Sequence, residues 1–163
     1  MNFNFNVSEL IFVMPELFLL AAISCILLFD LYVKEELKKF TYHLSQLALL
    51  ITGLLAFNII GESATIFSGT FVLDTLGSTF KVFIAGFSII ALVYSRHYLS
   101  VHGLLRNEYF ILALMSILGM LVMVSGHSLL TLYLGLEIMS LSLYALIATA
   151  RDRAFAIEAA LKY

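Results

Sequence analysis

LLTLYLGLEIMSLSLYALIATA, Leu129 to Ala150, is the stretch that decides the fold. It holds one formal charge, Glu137, and no proline. At a rise of about 1.5 Å per residue it reaches roughly 33 Å, enough to cross the hydrocarbon core of a bilayer. Glu137 then lies about 12 Å below the Leu129 end, near mid-membrane. A carboxylate at that depth costs on the order of 2.5–3.5 kcal/mol even on lenient insertion scales, which makes it a functional candidate by default. The plainer account is a neutral carboxyl held by hydroxyls of its own helix. Tyr133, Ser140 and Tyr144, at i−4, i+3 and i+7, share its face and would either satisfy it or line a proton path.

The rest of the chain agrees with a membrane setting. Of 163 residues, 62% are hydrophobic and 12% charged, about half the charged share of a soluble domain, and the mean hydropathy is +1.03. A soluble protein of this size has no core large enough to hide that surface, so the chain reads as an all-α, polytopic transmembrane helix bundle. No basic run points to nucleic acid. The single Cys25 excludes a disulfide framework and reads as a small core residue. The opening MNFNFNVSEL lacks the positive region of a signal peptide and leads into a retained helix.

Five full spans and the start of a sixth are expected within one transmembrane domain, 1–163: about 10–29, 42–60, 71–94, 109–124, 129–150 and, partially, 154–163. Ser8 is a candidate cap of the first, and Pro15 predicts a kinked or partly unwound entry. Glu16 beside it reads as solvated at the interface rather than as a pathway group. Gly61 to Phe71 reads as a loop. His97 and His102, with no carboxylate or Cys cluster nearby, suit interface anchoring better than a metal. Ala113, Ser116 and Gly119, three residues apart, predict close approach by another helix.

Basic residues fix an expected orientation. Lys34, Lys38, Lys39, Arg96, Arg106, Arg151 and Arg153 all fall after the first, third and fifth spans, and the alternate loops and N-terminal tail carry none. The positive-inside rule then puts the N-terminus outside. Two lysines remain. Lys81 lies about 15 Å from the outer end if the third helix starts at Phe71, and Lys162 about 13 Å from the inner end. With Glu137 they form a layer of ionisable groups from three helices, the arrangement a proton relay needs. Burial shifts both residue types towards neutral pH and pairing reverses the shift, so a Glu–Lys pair in lipid has two charge states. Glu158, one turn before Lys162, is its local partner. No phosphate loop, haem-type histidine pair, Cys cluster or nucleophile–base set is present, so no redox centre is expected in this chain.

The run MLVMVSGHSLLTLYLGLEIMSLSLYALIATARDRAFAIEAALKY, Met120 to Tyr163, resembles the antiporter-like membrane subunits of the proton-pumping NADH:quinone oxidoreductase, respiratory complex I, with subunit N (subunit 2 in mitochondria) the best match. YLGLEIMSLSLYAL is similar to the fifth-helix motif of that family, EAALKY to the start of its sixth, FVLDTLGSTFKVFIAG to the third-helix region with its lysine, and MPE to its N-terminus. The resemblance implies inverted repeats forming half-channels, Glu137 as the fifth-helix glutamate, and Lys162 as a sixth-helix lysine. It also implies other complex I membrane subunits and the lipid bilayer as partners. NADH and quinone would be used by the parent complex and no cofactor bound by this chain. The bacterial inner membrane is the expected location, in preference to the mitochondrial one. The sequence ends before the family's broken seventh helix and second repeat, so it matches the N-terminal part only. Glu137, Lys162 and Lys81 are the expected relay. A subunit of a multisubunit sodium/proton antiporter, which shares the glutamate motif, and a non-transporting truncated fragment are the alternatives.

Overall fold

The computed structural model describes residues 7–32, 40–102 and 104–149. Lys34, Lys38, Lys39, Glu158, Lys162 and the rest of the expected sixth span lie outside the described residues. Among the described residues, six α-helices and one hairpin follow in order: α1 (Val7–Phe12), α2 (Met14–Tyr32), α3 (Phe40–Asn58), β1 (Ala64–Ile66), β2 (Phe71–Leu73), α4 (Thr75–Val101), α5 (Asn107–Ser125) and α6 (Leu129–Ala148). Helices α2 to α6 are each long and apolar enough to cross a membrane, and the protein is a transmembrane helix bundle.

The break between α1 and α2 has a local cause. Pro15 has no N–H to donate and its ring excludes a carbonyl one turn earlier, but it is tolerated in the first turn of a new helix. The chain therefore turns at Val13, whose N–H reaches Leu10 O at 3.2 Å, and the helix restarts with Leu17 N–H on Val13 O at 3.0 Å.

The expected loop 61–71 is a two-stranded hairpin instead, and residues 71–73 are strand rather than helix. Ala64 pairs with Leu73, Thr65 with Val72 and Ile66 with Phe71, antiparallel. A 3-10 turn over Phe67–Gly69 connects them, with Phe67 at φ 51° and Gly69 at φ 88°. Phe67 occupies a left-handed conformation that costs a bulky residue energy, whereas Gly69 adopts it freely. The hairpin also binds the α5–α6 turn: Phe71 bridges Gly126, and His127 N–H donates to Thr70 O at 3.0 Å. Ile66 and Phe71 bury themselves on Val13 at the entry to α2. Asp74 starts α4, its Oδ1 accepting from Gly77 N–H at 2.7 Å, and Ser128 starts α6 by accepting from Thr131 N–H at 3.1 Å.

Helix α5 is central, packing against α2, α3, α4 and α6. The main core joins Leu19, Ile23 and Leu49 to Phe110, Leu114 and Leu121. At the end opposite the hairpin, Asp30 accepts from Thr41 Oγ1 at 3.0 Å and from Asn107 Nδ2 at 2.7 Å, tying α2, α3 and α5 together. Arg96, expected in a loop, lies within α4, its guanidinium 4.2 Å from the Tyr42 ring centroid. Cys25, expected in the core, is exposed on an apolar cleft between α2 and α3.

Candidate proton-transfer site

Among the described residues, two sets of ionisable side chains inside the helices concern the expected relay. The first sits beneath the hairpin. Lys81 is six residues into α4, so it lies about 9 Å below the helix start rather than the 15 Å counted from Phe71. It is fully buried, and Glu16, in the first turn of α2, is 4% exposed. Lys81 Nζ stands 2.6 Å from Glu16 Oε1. The reading of Glu16 as a solvated interfacial residue is thus corrected. The hairpin closes over the entry to α2, and the up-down path of the chain brings the starts of α2 and α4 to one end. Ser125, the last residue of α5, donates to Glu16 Oε1 over a long 3.5 Å, and the Phe71 ring centroid lies 5.2 Å from the ammonium. Desolvating both charges is costly, and a single close contact with added polar and cation–π support is what offsets it. The position of Glu16 at a helix N-terminus adds a favourable dipole.

The second group is on α6. Glu137 is partly buried, and the exposed Tyr133 lies one turn earlier on the same face of the helix. Ser140, grouped with it on spacing, turns its hydroxyl to the backbone, 2.7 Å from Leu136 O and 3.4 Å from Glu137 O. Only Gly135 and Ser142 of α6 are buried, since the helix packs mainly on α5. The carboxyl of Glu137 therefore sits on a face that the described residues leave open.

Of the three expected relay residues, Lys81 is found with Glu16, Glu137 with Tyr133, and Lys162 lies outside the described residues. Glu16 is the residue that sequence reading undervalued. The signal was available: a lone lysine inside an apolar span needs a carboxylate at matching depth, and Glu16 enters the bundle from the same end.

Among the described residues, five membrane-length helices with ionisable groups placed inside them define a polytopic helical membrane protein. The family model described as NADH:quinone oxidoreductase/Mrp antiporter, transmembrane, matches residues 126–163, which include Glu137. NADH-quinone oxidoreductase subunit N of Ruthia magnifica subsp. Calyptogena magnifica is 62% identical over 160 residues, covering 98% of this chain and 33% of the relative. The subunit N of Alkalilimnicola ehrlichii is 45% identical over 151 residues, covering 92% and 31%. A chain in the structure of respiratory complex I from Thermus thermophilus with bound aureothin superposes with a TM-score of 0.72 over 91% of this chain and 32% of that one. At 23% identity this speaks for the fold alone. The resemblance read from the sequence is borne out: this chain is related to NADH-quinone oxidoreductase subunit N and spans about a third of the length of the curated relatives it matches.

Proposed function

We propose that the chain acts as part of a proton-translocating membrane subunit of an NADH:quinone oxidoreductase, in a bacterial inner membrane, with its N-terminus on the outer face. Its own residues hold and pass protons; electron transfer from NADH to quinone takes place on other subunits, and no cofactor is bound here. The other membrane subunits of the complex and the lipid bilayer are its partners. Glu137 is the proton-carrying group of α6, and Lys81 and Lys162 are further relay groups. The observation that carries this reading is a carboxylate set inside a membrane-length helix, within the segment that matches the oxidoreductase/antiporter family model. The strong similarity to subunit N supports the oxidoreductase over a sodium/proton antiporter.

The test is Glu137→Gln, made in the full-length subunit and assembled complex. It keeps the size and hydrogen-bonding capacity of the side chain and removes its proton. Proton pumping per NADH oxidised, or both rates together if coupling is tight, falls at least about tenfold while assembly is kept, since general acid–base groups contribute on the order of a hundredfold or more. Undiminished pumping in a fully assembled complex would leave Glu137 a structural residue.

A further inference from the structure

Most of the buried hydroxyls of these helices are satisfied either across the bundle, as Thr41 and Ser125 are, or along their own helix. Ser45, Thr52 and Ser142 are buried and donate to the carbonyl four residues earlier, at 2.8, 2.8 and 2.6 Å. Ser24, Thr79 and Ser140 do the same on the surface or part-buried. Back-bonding of this kind satisfies a hydroxyl without help from a neighbour. Ser78 departs from it. It is fully buried, one turn before Lys81 and on the same face of α4, and its Oγ meets no hydrogen-bond partner.

Two further buried polar atoms share that condition at the same spot. Glu16 Oε2 has no hydrogen-bond partner, and Lys81 Nζ, though 2.6 Å from Oε1, makes its contact outside hydrogen-bonding alignment. These three are the buried side-chain atoms left unbonded among the described residues, and all three belong to one ion pair and its adjacent turn. Among the described residues, the charged neighbour of this region is itself already engaged. From β2 comes the Phe71 ring, from α5 the Ser125 hydroxyl, and Asp74, at the start of α4, is engaged with Gly77 N–H. Buried polar groups in folded proteins are satisfied by protein or by ordered water, and a buried water takes two to four polar partners.

We propose that Glu16, Ser78 and Lys81 form a water-binding, proton-exchanging site, distinct from Glu137. Water here accepts from Lys81 and Ser78 and donates to Glu16 Oε2. The exchange balances with O–H and N–H bonds alone. A proton delivered through the water converts the Glu16 carboxylate to the acid; Lys81 releases one of its three protons to the same water; transfer from the Glu16 acid to the Lys81 amine restores the charged pair. The proposal deepens the relay reading of Lys81, and its test measures water contact rather than pumping, so the two fail separately.

The chain is prepared with isotope-labelled lysine in lipid bilayers, and magnetisation transfer from water to the side-chain nitrogens is read by solid-state nuclear magnetic resonance. Lys81 is assigned by the signal that disappears in Lys81→Arg, a variant that retains the charge. The expected result is water transfer to the buried Lys81 nitrogen. Ser78→Ala should reduce it by about threefold or more, the worth of one hydrogen bond. Absence of transfer in the unmodified chain overturns the site, and undiminished transfer in folded Ser78→Ala overturns Ser78 as its anchor. Should Lys81→Arg not fold, Glu16→Gln serves instead, because removing the carboxylate charge shifts the Lys81 resonance and identifies it.

Discussion

Gly119 of α5 and Gly135 of α6 stand against each other where these helices cross. A Cβ on Gly119 would come 2.6 Å from Met139 N and 2.7 Å from Gly135 O; a Cβ on Gly135 would come 2.9 Å from Gly119 O and 2.7 Å from Met123 Cγ. Backbone lies against backbone, and neither side can yield cheaply. Because α6 packs mainly on α5, this crossing sets where Glu137 stands relative to the rest of the bundle.

Gly119→Ala should therefore loosen α6 and destabilise the fold by about 1–3 kcal/mol, the usual cost of overpacking. Gly86→Ala is the control: nothing lies within 4 Å of its Cβ position, and alanine favours a helix over glycine by up to about 1 kcal/mol. Unfolding in mixed detergent, followed by circular dichroism, should separate the two. Equal stability of both variants would mean that the helices do not approach this closely.

For the Glu16–Lys81 pair the expected signature is non-additivity. Lys81→Met or Glu16→Gln alone leaves the partner buried without its counter-charge and should cost about 3–5 kcal/mol. The double variant should cost less than either single one, since it removes both charges together. A double variant as unstable as the sum of the singles would contradict a direct pair.

The Asp30 carboxylate should matter at the opposite end. Asp30→Ala removes the acceptor for Thr41 and Asn107 and should lower stability by about 1–3 kcal/mol. Asp30→Asn, which keeps an acceptor oxygen, should recover part of it. The same unfolding assay decides, and a silent Asp30→Ala would show that the three helices are held by their apolar contacts alone.

Orientation is checked with single cysteines in a Cys25→Ala background. Ser63, exposed at the hairpin end, should react with an impermeant thiol reagent added outside. His102, exposed at the far end of α4, should react only after the membrane is opened. The reverse pattern would invert the topology.

The helices were legible because a membrane span must be a long unbroken apolar run, and five of them stand out. What lay between was harder. Ala64–Ile66 and Phe71–Leu73 are three-residue strands among Gly, Ser and Thr, and part of what holds them is the distant Gly126–His127 turn, which no local pattern announces. Cys25 reads as a core residue because the apolar character of a lipid-facing surface equals that of the core, so periodicity does not tell the two sides apart. Lys81 is legible as a buried charge, in a layer with Glu137 and Lys162, but its counter-ion is Glu16, which reads in the sequence as an interfacial residue. Counting depth from Phe71 rather than from Thr75, where α4 starts, places Lys81 too deep for the two to look like neighbours. Glu137 itself was legible from its isolation in an apolar run, and Tyr133 from its spacing.

The Glu16–Lys81 pair also bears on how the chain is made. Synthesis runs from the N-terminus, so α2 enters the lipid carrying an acid whose counter-ion belongs to a helix two spans later. Until α4 emerges, Glu16 must stay at the headgroup level or travel uncharged, because a lone carboxylate in hydrocarbon is costly. The charged form of Glu16 thus becomes stable inside the bundle only once α4 has brought Lys81 to it, so α2 is fully settled only after a helix made two spans later.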